Sequence, residues 1–163
     1  MLRVFVPVCL LLFVFLNQAS AQSALSKAYP KDSVIKVQII DPFEQAAADN
    51  GEIPNWDALN KVIAAKYDAA FADRLVNKAQ IFYDYGKDWP AFTAALVRYT
   101  EKYENPDNLP LLNKNAAMVL QFSTGRQELE KALAWSKYTL EKEPRNPDYQ
   151  KTFDGLTAKL SGK

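Results

Sequence analysis

The sequence has no histidine, one cysteine and only five glycines among its 163 residues. The cysteine, Cys9, lies in an apolar run near the N-terminus. Without histidine, a Ser–His–Asp or Cys–His arrangement has no base, and the usual nitrogen and sulfur ligands of zinc are missing once Cys9 is set aside. Five glycines leave little room for a phosphate-binding loop. We therefore predict no catalytic residue, no metal site and no cofactor.

The first 21 residues have the pattern of a secretory signal peptide. Arg3 precedes an apolar run from Val4 to Leu16, and small residues at 19–21 form a cleavage site. The run is too short to serve as a stable membrane anchor. We therefore predict cleavage after Ala21 and an exported protein, in the periplasm or alternatively outside the cell, with no membrane anchor after cleavage.

The charge of the remaining chain is balanced. The sequence has 20 basic and 19 acidic residues, and loss of Arg3 with the signal peptide makes the two numbers equal. A nucleic-acid-binding protein would carry a basic excess to neutralise phosphates, so nucleic acid is not an expected partner. A net charge near zero also favours self-association, so a homo-oligomer is one expectation.

The chain from Pro42 onward reads as a series of helices. Three helix starts are indicated by a side chain that can cap the first turn, followed within two residues by a proline. The capping residues are Asp88, Asn108 and Asn146. Gly125 is predicted to terminate the fourth helix. Six apolar stripes at three- and four-residue spacing predict six antiparallel helices: Leu59–Tyr67, Leu75–Tyr83, Phe92–Tyr103, Leu112–Phe122, Leu129–Leu140 and Tyr149–Leu160.

The residues before this region read differently. Residues 22–33 are polar and lack periodicity, whereas residues 34–40 (VIKVQII) are β-branched and partly alternating, which indicates an extended segment. The same seven residues have two other interpretations, since they could pack along the helices or begin one. We predict a flexible or extended N-terminal arm over residues 22–41 and an all-α domain over residues 42–163.

The spacing and the third helical pair carry a resemblance. Trp56 and Trp89 are 33 residues apart, close to the period of tetratricopeptide arrays. Residues 132–147 (ALAWSKYTLEKEPRNP) resemble the second helix of a tetratricopeptide repeat, with Leu140 and Pro144 at its closing turn. The resemblance implies a short solenoid of stacked helical hairpins, with the last helix acting as a terminal cap.

The wider stretch from Trp56 to Lys163 resembles the helical region of exported thioredoxin-like proteins of Gram-negative bacteria. The likeness is carried by residues 72–76, by residues 87–89 with Tyr99 and Tyr103, and by Leu133 with residues 135–137. In those proteins the helices accompany a redox domain with a Cys-x-x-Cys pair, which this sequence lacks. The resemblance therefore implies the architecture without redox activity.

The predicted function is non-enzymatic binding of a protein or peptide partner through a groove between helices. Tyrosine supplies rigid contact area with a polar tip, and Tyr85, Tyr83 and Tyr99 are the predicted partner-binding residues. Tyr85 beside Gly86 is the best candidate for an exposed contact, while Tyr83 and Tyr99 also fall on apolar stripes. Three alternatives remain open: a carrier of a small apolar ligand or lipid, a self-associating structural protein, and an enzyme that uses carboxylates alone.

Overall fold

The computed structural model describes residues 30–162, so the predicted signal peptide and residues 22–29 of the predicted arm lie outside the described residues. Within 30–162 the secondary structure is helical and contains no strand, and none of these helices is both long and apolar enough to cross a membrane. The elements are α1 (Asp32–Ile35), a π-helical segment (Lys36–Ile40), α2 (Asp41–Asp49), α3 (Trp56–Lys66), α4 (Ala69–Asp84), α5 (Trp89–Tyr103), α6 (Leu109–Phe122), α7 (Arg126–Lys142) and α8 (Pro147–Leu160).

Most of the longer helices begin at a side-chain cap. The side-chain oxygens of Asn55, Asp68, Asp88, Asn108 and Asn146 accept hydrogen bonds from backbone N–H groups in the first turns of α3, α4, α5, α6 and α8. These bonds satisfy donors that have no partner inside the helix. The capping roles predicted for Asp88, Asn108 and Asn146 are confirmed.

The glycine predicted to end the fourth helix has another role. Helix α6 ends at Phe122, and Gly125 is the N-cap residue of α7 with a φ of −78°, a value open to any residue. The prediction that Gly125 terminates a helix is therefore wrong, because Gly125 stands at the start of the next helix. The turn after α4 does use a glycine, because Gly86 has a φ of +77°, where a side chain would be strained.

The extended conformation predicted for residues 34–40 is also wrong. This segment continues α1 into the π-helical segment and then into α2, so the alternative that it begins a helix is the one confirmed. Ile35 and Ile40 are buried in the core, and Asp32 is bound by Arg74 of α4. Burial of these isoleucines outweighs the β-propensity of the sequence, because propensity mainly reflects how side chains pack.

Consecutive helices from α3 to α8 pack against each other, and α5 also contacts α7, as α6 contacts α8. The loops between them span two to five residues, so neighbouring helices are antiparallel. The buried side chains form two clusters. The first comprises Ile35, Ile40, Leu59, Ile63, Phe71, Ala72, Leu75, Val76 and Ala79. The second comprises Phe92, Leu96, Leu112, Ala116, Val119, Leu129, Ala132, Trp135 and Leu156.

Two members of the predicted apolar stripes point to solvent instead. Val62 is 52% exposed and Phe82 is 67% exposed. Both lie at the edge of a helical stripe, where periodicity alone does not show whether another helix covers the position. The exposure of Phe82 is relevant to one of the grooves described next.

Candidate functional site

Helix α4 has a groove on each of two faces. Asp73, Asn77 and Gln80 line one groove, whereas Leu75 and Ala79, together with their neighbours, line the other. At 3.6 residues per turn these two sets lie on opposite sides of the helix. The first groove is called the polar groove and the second the amphipathic groove.

The polar groove lies between the start of α3 and the facing sides of α4 and α5, and has a volume of about 660 Å³. Trp56 is held at its edge, because its ring meets the ring of Tyr83 edge to face at 5.3 Å. The other residues of the groove are mostly amides and charged groups. The lining residues are Pro54, Asn55, Trp56, Asp57, Asn60, Asp73, Val76, Asn77, Gln80, Arg98 and Lys102.

A ladder of hydrogen bonds between α4 and α5 fixes Arg98 in the polar groove. Its Nη2 donates to Oε1 of Gln80 at 2.9 Å, and its Nε donates to Oδ1 of Asn77 at 3.3 Å. Asn77 in turn donates through Nδ2 to the backbone carbonyl of Asp73 at 2.7 Å. Within residues 30–162, no carboxylate forms an ion pair with Arg98. The guanidinium is thus oriented by neutral amides and keeps its positive charge uncompensated by a direct partner.

The carboxylate of the ladder is compensated. Asp73 accepts a hydrogen bond from Lys102 at 2.6 Å and another from the hydroxyl of Tyr103. These two bonds, that of Lys102 first, lower the pKa of Asp73 below its ordinary value. Asp57, in the first turn of α3, adds a carboxylate to the lining from the other helix. The polar groove therefore presents a free cation on α5 and a carboxylate on α3.

The amphipathic groove lies between the N-terminal helical segment and α4, and has a volume of about 570 Å³. Its apolar lining is contributed by Ile40, Leu75, Ala79 and Phe82, with the ring of Tyr83 beside them. Its charged lining comes from both sides of the groove. These charged residues are Asp32, Lys36, Glu44, Lys78 and Lys87.

Asp32 anchors the N-terminal segment beside this groove. Arg74 donates to its two carboxylate oxygens through Nη2 at 2.7 Å and Nη1 at 2.8 Å, and Lys78 donates to it at 3.2 Å. The hydrogen bond from Arg74 is the largest cause of a pKa lowered to about 2 for Asp32. The paired Asp32 is therefore an anion already satisfied by two cations.

The structure places the three predicted tyrosines at different positions. Tyr83 lines the amphipathic groove. Tyr85 is 54% exposed, as predicted, and its ring meets Trp89 and Phe92 edge to face. Tyr99 packs against another tyrosine of α5 at 5.4 Å and lines neither groove. Their contact with a partner stays a prediction.

Sequence reasoning missed the residues that make the polar groove, above all Asn77, Gln80 and Arg98. The sequence does not show which polar helix faces border a cleft, because that depends on how the helices pack. A signal was present in the spacing, because Asp73, Asn77 and Gln80 recur every three or four residues along one face of α4.

One carboxyl is buried outside both grooves. Asp84, the last residue of α4, is 6% exposed, and burial, followed by the nearby charge of Asp88, raises its pKa. Asp84 lines neither groove. In the described part of the chain, no three acidic side chains are grouped so that they could hold a metal ion. The polar groove is therefore the site with the clearest recognition chemistry.

Comparisons with protein-family models, with curated proteins and with solved structures gave no match.

Proposed function

We propose that this protein is a non-enzymatic binding protein that holds an extended segment of a partner polypeptide in the polar groove, with an acidic side chain of the partner on Arg98. The observation that carries the proposal is the guanidinium of Arg98, held by two amides and ion-paired to no carboxylate within residues 30–162. A hydrogen bond between a carboxylate and this group would be charge-assisted, and such bonds are about twice as strong as neutral ones.

The rest of the lining suits a peptide main chain. The amide of Asn60 can donate and accept, and the amide nitrogen of Gln80 can donate, as a peptide backbone requires. Trp56 offers an immobilised ring for an apolar side chain. Asp57 offers a carboxylate for a basic side chain of the peptide. These groups together favour a peptide with mixed charge over a purely apolar ligand.

The proposal extends to the architecture and the compartment. We propose that the helices form a short tetratricopeptide-like stack, which is supported by contacts between helices two apart in sequence, α5 with α7 and α6 with α8. Export to the periplasm is proposed on the signal-peptide pattern of residues 1–21.

The test begins with the tagged protein exported by its own signal and crosslinked to its neighbours in the cell. Mass spectrometry then identifies the crosslinked segment, and that segment is titrated as a synthetic peptide into the purified protein. We expect Arg98→Ala to weaken binding about tenfold, because it removes a charge-assisted contact. Arg145→Ala, at an exposed arginine in the turn before α8, is the matched control and leaves the affinity unchanged.

Two results would contradict the proposal. The first is a peptide that binds the Arg98→Ala protein as well as the unaltered one. The second is recovery of this chain alone in the crosslinked material, which would favour the self-associating alternative.

A further inference from the structure

We propose that the amphipathic groove is a second binding site, for a single-chain amphiphile with a carboxylate head group. This site lies on the face of α4 opposite the polar groove, so the proposal does not rest on the peptide-binding function. The apolar lining of the groove determines the chemistry of the ligand's chain, and the charged lining determines that of its head group.

The apolar part of the groove matches a hydrocarbon chain. Ile40, Leu75 and Ala79 are buried core residues whose outer surfaces reach the groove, and Phe82 stands beside them with 67% of its surface exposed. A phenylalanine this exposed on a folded helix leaves apolar area in contact with water. A hydrocarbon chain lying against it would remove that area from water, and the removal of apolar surface from water favours binding.

The size of the groove suits one chain. Its volume of about 570 Å³ falls within the range of small-molecule sites. The groove is partly open to solvent. A linear molecule with its head at one end suits such a groove, because the head can remain in water while the chain is covered.

The charge around the groove leaves one cation in excess. Asp32 is bound by Arg74 and Lys78, and Lys36 is paired with Asp41. Lys87, which also lines the groove, forms no ion pair within residues 30–162.

The position of Lys87 places this free cation at the groove. Its Nζ lies 3.8 Å from the centre of the ring of Tyr83, which also lines the groove. Glu44 and Asp84 both interact with the charge of Lys87, and burial disfavours the charged form of each by raising its pKa. The ammonium of Lys87 is therefore available to a carboxylate whose chain lies on Phe82.

The experiment uses dodecanoate below its micellar concentration, titrated calorimetrically into the exported protein, with dodecyltrimethylammonium as the probe of the same chain and opposite charge. We expect one dodecanoate to bind per protein and the cation to bind at least about fivefold more weakly. Methyl resonances of Ile40, Leu75 and Ala79 should shift on titration, which locates the ligand in the groove.

Two exposed substitutions separate the head from the chain. Lys87→Gln should weaken dodecanoate binding about three- to fivefold, and Phe82→Ser about tenfold. The matched controls are Lys151→Gln and Val62→Ser, which alter an exposed lysine and an exposed apolar residue outside the groove and should leave the affinity unchanged.

Equal binding of the anion and the cation would overturn the proposal, as would unchanged affinity in Phe82→Ser. Absence of dodecanoate binding to folded protein would also overturn it, whether a second copy, a partner or residues before Pro30 were then found to cover the groove. Circular dichroism before and after each titration shows that the helices persist.

Discussion

The two halves of the described chain bury different kinds of side chain around their apolar core clusters. In α1 to α4 the buried residues are apolar, except for Asp84 at the very end. In α5 to α8 the apolar core is interspersed with small polar residues, which are Thr93, Thr100, Asn113, Asn115, Ser123, Ser136, Thr139 and Thr152. The interior of the first half is therefore almost entirely apolar, whereas the second half must also satisfy buried hydrogen-bonding groups.

Most of the buried hydroxyls in the second half are satisfied at short range. Thr93, Thr139 and Thr152 donate to backbone carbonyls three or four residues earlier in their own helices at 2.9 to 3.0 Å. The amide of Asn115 donates across to the hydroxyl of Thr100 at 3.0 Å. Such local bonds let small polar side chains be buried at little cost.

Small side chains also allow the helices of the second half to approach closely. Ala95, Ala116, Ala132 and Ser136 are fully buried. A Cβ atom added at Gly155 of α8 would lie 2.7 Å from a methyl carbon of Leu120 on α6. The second half is thus closely packed, whereas both proposed binding grooves flank α4 in the first half. The contrast is one of packing, because small side chains are enclosed between the helices of the second half, whereas α4 borders a groove on each of two faces.

The largest expected effect comes from removing one phenyl ring in each half of the molecule. Phe92→Ala empties a fully buried position and should lower the free energy of unfolding by about 3–5 kcal/mol. Phe82→Ala removes the same ring from an exposed position of α4 and should change it by less than about 0.5 kcal/mol. Urea unfolding followed by circular dichroism measures both, and similar losses would mean that Phe82 is covered in solution.

A second test adds volume instead of removing it. Ala132→Leu inserts three carbons at a fully buried position and should cost about 1–3 kcal/mol of unfolding free energy. Ala79→Leu extends a side chain that borders the amphipathic groove, so the added atoms can enter open space and the cost should be smaller. The same unfolding measurement applies, and a larger loss for Ala79→Leu would refute the difference in packing.

The smallest test concerns the ion pair that fastens the N-terminal segment to α4. The pKa of Asp32 is lowered from 3.8 to about 2, so its ionised form stabilises the fold above its ordinary pKa and this contribution is lost as pH falls toward 2. Asp32→Asn should lower the free energy of unfolding by about 0.5–1 kcal/mol at neutral pH, because the pair is partly exposed and screened.

The pH dependence supplies the check on this ion pair. The difference between Asp32→Asn and the unaltered protein should shrink as pH falls through the range between 3.8 and about 2. Asp57→Asn removes a carboxylate that forms no ion pair in the described part of the chain, and it is the control for loss of one negative charge at neutral pH. A constant difference at all pH values would assign the effect of Asp32 to packing.

Local chemistry was sufficient to predict much of the helical pattern. The caps at Asp88, Asn108 and Asn146 and the stripe of Leu112, Ala116 and Val119 depend on neighbouring residues along one helix, so sequence spacing identifies them. The candidate site could not be predicted in the same way. Arg98 and Gln80 belong to different helices, and their pairing depends on how α4 packs against α5.

The sequence by itself determined that this chain has helices, that three of them begin after Asp88, Asn108 and Asn146, and that histidine and metal-thiolate chemistry are absent from residues 22–163. Tertiary structure decided that residues 34–40 join the core as a helix, that Phe82 remains exposed, and that α4 borders two grooves of opposite character. The physical reason is the distance along the sequence between the residues that interact. Caps and turns are fixed by interactions within a few residues, whereas burial and grooves depend on which helices meet across long stretches of chain.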